Sequence, residues 1–311
     1  MSERFFVTGA NGCIGAWVVK LLVEQGVEVT AFDLRADEHR HLLINSGSMP
    51  KAKWVFGDLT IAQDVEDAMA GATHVVHLAA LQVPFCRANP ALGASVNVVG
   101  TVNIFEAAKK LGVKNISHAS SIAVFGLAAD YPDEKLSLDA QRLPTTLYGV
   151  YKTAAEDVAK VYWNEYGIRS VGLRPHTIFG PGRDQGMTSQ PSVAIEKATK
   201  KEKFHVEYGG VLDFQYAPDV ASAFILAARR NVDGAPVVNI NGHVVRVSDF
   251  VEIIKAVSGF SDLTYGTNQL PVVYSADAQD WIDLASPPPA TDLEIAISES
   301  VEMFSKSARQ E

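Results

Sequence analysis

The chain has 311 residues, of which 47% are hydrophobic and 20% charged, with 36 acidic against 27 basic side chains and a formal net charge of −9. This apolar content excludes disordered and fibrous classes, and the length suits one large or two modest domains that bury a core without disulfide or metal staples. The acidic balance repels polyphosphate and anionic lipid, so neither nucleic acid nor a membrane is an expected partner.

In chain order, strand-length apolar runs at residues 5–8, 28–33, 54–58, 74–79, 115–119 and 170–173 alternate with longer segments of helical spacing. Strand, helix, strand repetition predicts parallel strands joined by right-handed crossovers, and therefore an α/β doubly wound sheet of Rossmann type with ligands at the carboxyl ends of its strands. Residues 88–105 form the longest charge-free stretch, but Asn89, Pro90 and Gly93 interrupt it, so no membrane span is expected. Past Arg174-Pro175 the texture changes to shorter segments punctuated by Gly180-Pro181-Gly182 and Gly209-Gly210. This places a boundary near residue 175, with a dinucleotide-binding part over 1–175 and a smaller substrate-binding lobe over 176–311. The helical segment 218–230 is expected to return to the first part, and Thr291 with Glu294 reads as the capping box of a last helix bearing Leu293, Ile297, Val301 and Phe304 on one side.

The first strand runs into Thr8-Gly9-Ala10-Asn11-Gly12-Cys13-Ile14-Gly15, followed by a helix over 16–25 that Gly26 stops. Glycines at Gly9, Gly12 and Gly15 let backbone approach a pyrophosphate on a helix N-terminus, where free N–H groups and the dipole attract anions. The second strand ends in Asp33, whose carboxylate suits the hydroxyls of an adenosine ribose and repels a 2′-phosphate, favouring NAD over NADP. Arg35 pulls the other way unless it is a solvated loop residue. Further on, Tyr148 and Lys152 lie one helical turn apart on one face, so an ammonium can sit beside a phenol and bring it toward service as a general acid or base. Tyr151, on another face, is expected to pack.

The Gly9-x-x-Gly12-x-x-Gly15 spacing, Tyr148-x-x-x-Lys152 and Ser120-Ser121-Ile122-Ala123-Val124-Phe125-Gly126 together resemble the extended short-chain dehydrogenase/reductases, the NAD-dependent epimerase/dehydratase family. The resemblance implies NAD as cofactor and a catalytic set of Ser121, Tyr148 and Lys152, in which Ser121 orients the reacting oxygen and Lys152 holds the cofactor ribose and depresses the Tyr148 pKa. It also implies cofactor contacts from Gly9, Asn11, Gly12, Cys13, Ile14, Gly15 and Asp33, from Asp58 and Leu59, from Leu78, Ala79 and Ala80, and from Asn97, Tyr148, Lys152 and His176. Ser120, on the other face of its strand, is expected to bond backbone. Two departures narrow the chemistry: Ile122 and Ala123 stand where dehydratases carry an acidic pair, and Leu212 stands where nucleotide-sugar enzymes place an arginine.

Gln82, Ser121 and Arg183 are the candidate substrate contacts, suited to a compact polar molecule such as a sugar, lactone or sugar acid, although Arg183 would serve equally as a partner of Asp184. His74 and His77 point to opposite sides of a strand and are no metal pair, and Cys86 reads as a buried loop thiol. The two cysteines, Cys13 and Cys86, give no disulfide framework or zinc spacing, and with a start that lacks a signal-peptide core they suggest a cytoplasmic setting. The expected activity is NAD-dependent oxidation or reduction of a secondary alcohol or ketone of a small sugar or sugar-acid-like substrate. An epimerase that retains its NAD is the alternative, and a non-catalytic NAD sensor the remote one. A homodimer pairing through segments 98–111 and 152–166 is expected by resemblance.

Overall fold

The computed structural model describes residues 2–132, 135–137 and 139–307, so Met1 and residues 308–311 of the two expected segments lie outside the described residues. The first part of the chain runs β1 (Arg4–Thr8), α1 (Cys13–Glu24), β2 (Glu28–Asp33), α2 (His39–Ile44), β3 (Lys53–Phe56), α3 (Ala62–Met69), β4 (His74–His77), α4 (Val83–Ala88), α5 (Pro90–Ala94), α6 (Gly100–Leu111), β5 (Ile116–Ala119), β6 (Lys135–Leu136), α7 (Leu147–Tyr166) and β7 (Ser170–Arg174). It continues with β8 (Thr177–Phe179), α8 (Gln190–Thr199), β9 (Phe204–Val206), β10 (Val211–Tyr216), α9 (Ala217–Arg229), β11 (Val237–Asn239), β12 (His243–Arg246), α10 (Val247–Ser258), β13 (Leu263–Tyr265), β14 (Ser275–Ala276), α11 (Gln279–Ala285) and α12 (Leu293–Ser307).

Seven parallel strands form the main sheet in the order β11-β7-β5-β4-β1-β2-β3, the doubly wound arrangement that the repetition of strand and helix predicts. Its central strands are apolar on both faces because both are covered. In β1, Phe5 and Val7 enter the core shared with α1 and α9, while Phe6 between them enters the core shared with α3, α6 and α7. The chain winds outward through β1, β2 and β3 and then returns to place β4 against the other side of β1, so the switch point lies between β1 and β4. A second core forms around β12-β10-β8, covered by α8, α10 and α12, with Phe214 stacked on Phe250 and Phe179 edge-on to both at its centre. The chain then returns: α9 packs on α1, and β11 joins the main sheet beside β7.

Three local expectations need correction. Pro90 does not interrupt the charge-free stretch but opens a helix there, because proline is tolerated at a first helical position and Asn89 caps the turn by accepting from Leu92 N at 3.1 Å. With a π-helical turn at Ser95–Val99 the helix continues to Leu111, giving a 22-residue run of sufficient length and apolarity to cross a membrane, with 44% of its 18-residue apolar stretch buried inside the fold. The last helix is capped by Asp292, whose carboxylate accepts from Glu294 N and Ile295 N, whereas Thr291 bonds the Asp219 carboxylate. Cys86 is buried, but on α4 rather than in a loop.

Two contacts fix where the active edge lies. A Cβ at Gly15 would stand 2.0 Å from the Gly9 carbonyl oxygen, so the first turn of α1 closes against the end of β1 only without a side chain there. Behind the edge, the buried Glu156 carboxylate on α7 joins Arg174 of β7 through two bonds of 2.7 Å, Arg142 at 3.1 Å, and the Ser120 hydroxyl. Ser120 therefore bonds this carboxylate and not backbone, because the bidentate Arg174 presents Glu156 directly beneath it. Burial raises the Glu156 pKa, but the Arg174, Ser120 and Arg142 interactions outweigh it and hold the carboxyl below its ordinary range.

Gly15→Ala should destabilise the protein by about 1–3 kcal/mol despite alanine's better helix propensity, since the clash is with backbone; urea melts of the two proteins check it. Glu156→Gln should cost about 3–5 kcal/mol by leaving Arg174 buried and unpaired. Because the folded Glu156 pKa is depressed, its stabilisation is complete above the unfolded carboxyl pKa and is lost as pH falls through the lower folded value. Melting temperature against pH should therefore show a shallower acid limb below about pH 4.3 in Glu156→Gln.

Candidate active site

Gly9 turns at φ +66°, bringing its Cα against Ala79 across the switch point, where a side chain would approach Ala79 N to 2.7 Å. Gly12 N donates to Gly9 O at 2.9 Å, and Gly12 then opens α1 with no side-chain cap and no acidic residue in the first turn. The amides at Cys13 and Ile14 thus lie in the uncapped first turn of a helix, and Cys13 lines the cleft. Burial raises the Cys13 thiol to about pKa 11, so it adds no negative charge there.

Asp33 closes this loop from the neighbouring strand, accepting from Asn11 N and Leu34 N, each at 2.8 Å, while burial pushes its carboxyl pKa up. The Asn11 amide in turn donates to Arg35 O at 2.7 Å. Asp58 accepts from Thr60 at the end of β3, and Leu59 is buried against Gly100.

Beside the loop, a chain of buried neutral groups locks β1, β4 and α6 together, and sequence reading missed it. Thr101 donates to Asn97 O at 2.8 Å and pairs with His77 Nε2 at 3.2 Å, while His77 Nδ1 meets the Thr8 hydroxyl at 2.7 Å. Thr8 Oγ1 then accepts from Leu78 N and Ala79 N at 3.2 Å each. Burial, followed by the charge of Lys152, drives the His77 pKa well down, so the ring serves as a neutral bridge. Asn97, in the π-helical turn, clamps the Leu81 backbone through both amide atoms, at 2.7 and 2.9 Å, and so shapes the cleft wall after Ala80. The signal available in the sequence was a polar residue at the end of each of two apolar strands, Thr8 and His77.

Tyr148 sits in the first turn of α7, which Thr146 caps by accepting from Gly149 N at 3.1 Å. A Cβ at Gly149 would come within 2.1 Å of Ala123 O, so this glycine lets the helix start press directly against the Ser121–Ala123 backbone. Tyr148 is thereby placed beside the Ser121 hydroxyl, which offsets part of the rise that burial gives the phenol pKa and accepts from Ala123 N at 3.1 Å. One turn on, Lys152 is buried, donates from Nζ to Ala119 O at 2.6 Å, and lies 5.7 Å from the Tyr148 ring centre. Burial lowers its pKa to about 8.

The expected effect of Lys152 on Tyr148 is not found. Burial raises the phenol pKa, and the groups that pull it back are Ser121 and Arg183, while the Lys152 ammonium is engaged by Ala119 O and lies over the ring. Tyr151 turns away and donates to Pro90 O at 2.9 Å. His176 has both ring nitrogens engaged inside the protein, with Val273 O at 2.7 Å and Thr177 Oγ1 at 3.0 Å, and burial lowers its pKa to about 4. Its ring is therefore not free for a cofactor.

Gln82, at the start of α4, and Arg183, on the turn after β8, line a cleft of about 190 Å³ together with Gly12, Cys13, Arg40 and Asp184. Asp184 pairs with Arg40 and His39 and leaves Arg183 unneutralised. Leu212 is buried in the second core beside Phe214, so position 212 presents no charge to the cleft. Among the described residues no group of three His, Cys, Asp or Glu could hold a metal ion.

The cradle of backbone at Gly9, Gly12 and Gly15, the uncapped start of α1 and the Asp33 carboxylate fit a dinucleotide: close backbone, free N–H groups and a hydroxyl acceptor in sequence along one edge.

Comparison with known proteins agrees. The model of the NAD dependent epimerase/dehydratase family matches residues 5–241. A putative UDP-glucose 4-epimerase of Methanocaldococcus jannaschii is 30% identical over 263 residues, covering 82% of each chain. A decarboxylating sterol-4-alpha-carboxylate 3-dehydrogenase of Bos taurus is 31% identical over 73% of this chain and 60% of its own. The solved structure of MoeE5 in complex with UDP-glucose and NAD is 28% identical and superposes with a TM-score of 0.82 over 98% of this chain and all of that one. The chain thus belongs to the NAD dependent epimerase/dehydratase family and is an NAD-dependent oxidoreductase of the extended short-chain dehydrogenase type.

Proposed function

We propose that Tyr148, Ser121 and Lys152 interconvert a secondary alcohol and a ketone on a small sugar or sugar-acid-like substrate. The observation that carries this reading is the placement of Tyr148 beside the Ser121 hydroxyl at the carboxyl edge of the sheet, with Lys152 buried one turn behind it. In the oxidising direction the Tyr148 oxygen accepts the proton of the substrate hydroxyl, Ser121 holds that oxygen in line, and Lys152 supplies positive charge and donors behind the phenol. NAD, when bound, supplies the nicotinamide that takes the hydride. Gly9, Gly12, Gly15 and the amides of Cys13 and Ile14 would receive its pyrophosphate, with Asp33 taking the adenosine ribose hydroxyls and Asn11 fixed beside them. Asp58 and Leu59 would border the adenine, and Leu78, Ala79, Ala80 and Asn97 would wall the cleft, Asn97 acting by holding Leu81 in place.

The chain divides its labour near residue 175 in this reading: the main sheet serves the dinucleotide and the second core carries the turn bearing Arg183. A cytoplasmic homodimer is part of the same reading. It is supported by exposed apolar side chains along the outer faces of α6 and α7, Leu111, Val150, Val161 and Tyr166 among them. Light scattering should return twice the 33.5 kDa chain mass, and Val161→Glu should bring it to the monomer value.

A second reading, supported by the M. jannaschii relative's name, is an epimerase that keeps its reduced cofactor and returns the hydride to the opposite face. NADH accumulating with substrate supports the dehydrogenase, whereas inversion without net NADH supports the epimerase. In either, Tyr148→Phe should remove turnover by about a thousandfold or more while NAD affinity, read by tryptophan quenching, stays within about twofold. A variant that still turns over would reject Tyr148 as the proton acceptor.

A further inference from the structure

The turn after β8 carries two adjacent opposite charges, Arg183 and Asp184, and the fold separates them. Asp184 faces α2, where Oδ1 accepts from Arg40 Nη2 at 2.6 Å and Nε at 3.2 Å, and Oδ2 meets His39 Nε2 at 2.7 Å. The same Arg40 donates to Gly182 O at 3.0 Å and to Asn11 O at 2.8 Å, and Trp17 Nε1 donates to Pro181 O at 2.9 Å. The turn is therefore bolted to the glycine loop and to α1, with its own carboxylate already committed.

Arg183 is left facing the cleft. Among the described residues no carboxylate lies within ion-pairing distance of it; its side chain makes one hydrogen bond, Nη2 to Thr188 Oγ1 at 3.2 Å, and its Nε is buried without a partner. Its charge acts on Tyr148 and on Tyr208, whose own hydroxyl is also buried and unpartnered. Gln82 converges on the same point: a Cβ at Gly186 would lie 2.3 Å from Gln82 Oε1 and 3.0 Å from Arg183 Nη2. A half-buried guanidinium with most of its five donors unused is stabilised by a planar anion that accepts two of them side by side.

We infer that Arg183 receives the carboxylate of the substrate, which makes the substrate a small polyhydroxy acid of the aldonic or uronic class, with its reacting hydroxyl directed to Tyr148. The inference rests on the proposed role of Tyr148. One guanidinium matches one negative charge, whereas a nucleoside diphosphate brings at least two; the other arginine lining the cleft, Arg40, is already paired with Asp184, and position 212 is a buried leucine. The dinucleotide pyrophosphate, the other anion within reach, has the α1 amides to receive it.

The test uses the full-length protein saturated with NAD. D-gluconate, D-galactonate, D-glucuronate and D-galacturonate are compared with D-glucose, D-galactose, glucono-1,5-lactone and UDP-glucose, by calorimetric binding and by NADH formation or inversion. Preference for at least one acid is expected, with Arg183→Gln raising its KM by more than about tenfold, Arg183→Lys recovering part of the loss, and the Kd for NAD unchanged. Failure of every acid to bind or react, or preference for a neutral sugar, the lactone or UDP-glucose, would overturn the inference. So would an equal weakening of NAD binding in Arg183→Gln, which would assign the guanidinium to the pyrophosphate. Turnover retained by Tyr148→Phe would instead reject the Tyr148 role while leaving the effect of Arg183 on acid binding intact.

Discussion

The buried carboxylate of Glu156 is the constraint on which the site depends. It lies one helical turn beyond Lys152 on α7 and ties that helix to β7 through Arg174 and to the end of β5 through Ser120. Those two attachments set the height of α7 along the sheet, and therefore the height at which Tyr148 meets Ser121. A charge so placed is stable only while all its partners remain, because a lone ion in a dry core costs several kcal/mol and a fully bonded one does not. The phenyl ring of Phe125 beneath the Arg174 guanidinium, 5.0 Å from its centre, completes the enclosure. Position is thus secured by a rigid polar knot outside the cleft.

The main sheet was legible in the sequence because each strand announces itself by local composition: 5–8 and 74–77 are apolar runs too short for buried helices, bounded by polar or turn residues. The glycine loop was legible because its spacing has a steric cause, the closure of Gly15 on the Gly9 carbonyl. What was not legible arises from contacts distant in sequence. Ser120 and Glu156 are 36 residues apart, Thr8 and His77 are 69 apart, and no periodicity connects them. His176 looked available because it stands near the edge, yet Val273, 97 residues on, claims its ring. The pairing of Arg183 and Asp184 was undecidable for the same reason, since the rival partner, Arg40, lies 144 residues earlier.

The net charge of −9 says nothing about the cleft, where the arrangement is the reverse. Anion-receiving groups are gathered there by backbone and by selective neutralisation: helix amides at Cys13 and Ile14, a thiol kept protonated by burial, and an arginine whose sequence neighbour has been drawn off by Arg40 and His39. The Arg40 guanidinium makes this possible by having five donors in a fixed fork, enough to serve Asp184, Gly182 and Asn11 together. A lysine there would have the charge but not the reach in three directions.

The same arrangement creates a tension over the proton. Burial disfavours the charged forms of both Tyr148 and Lys152, raising one pKa and lowering the other to about 8, so the dry edge resists forming a phenolate. Ser121 and Arg183 oppose that resistance. An anion seated on Arg183 would cancel part of its pull on the phenol, so a substrate that binds through its carboxylate disfavours the phenolate it needs, and the burden passes to Ser121 and to the ammonium of Lys152. The geometry accommodates this, since Lys152 is held by a carbonyl and not by a carboxylate, so its charge is anchored but not neutralised.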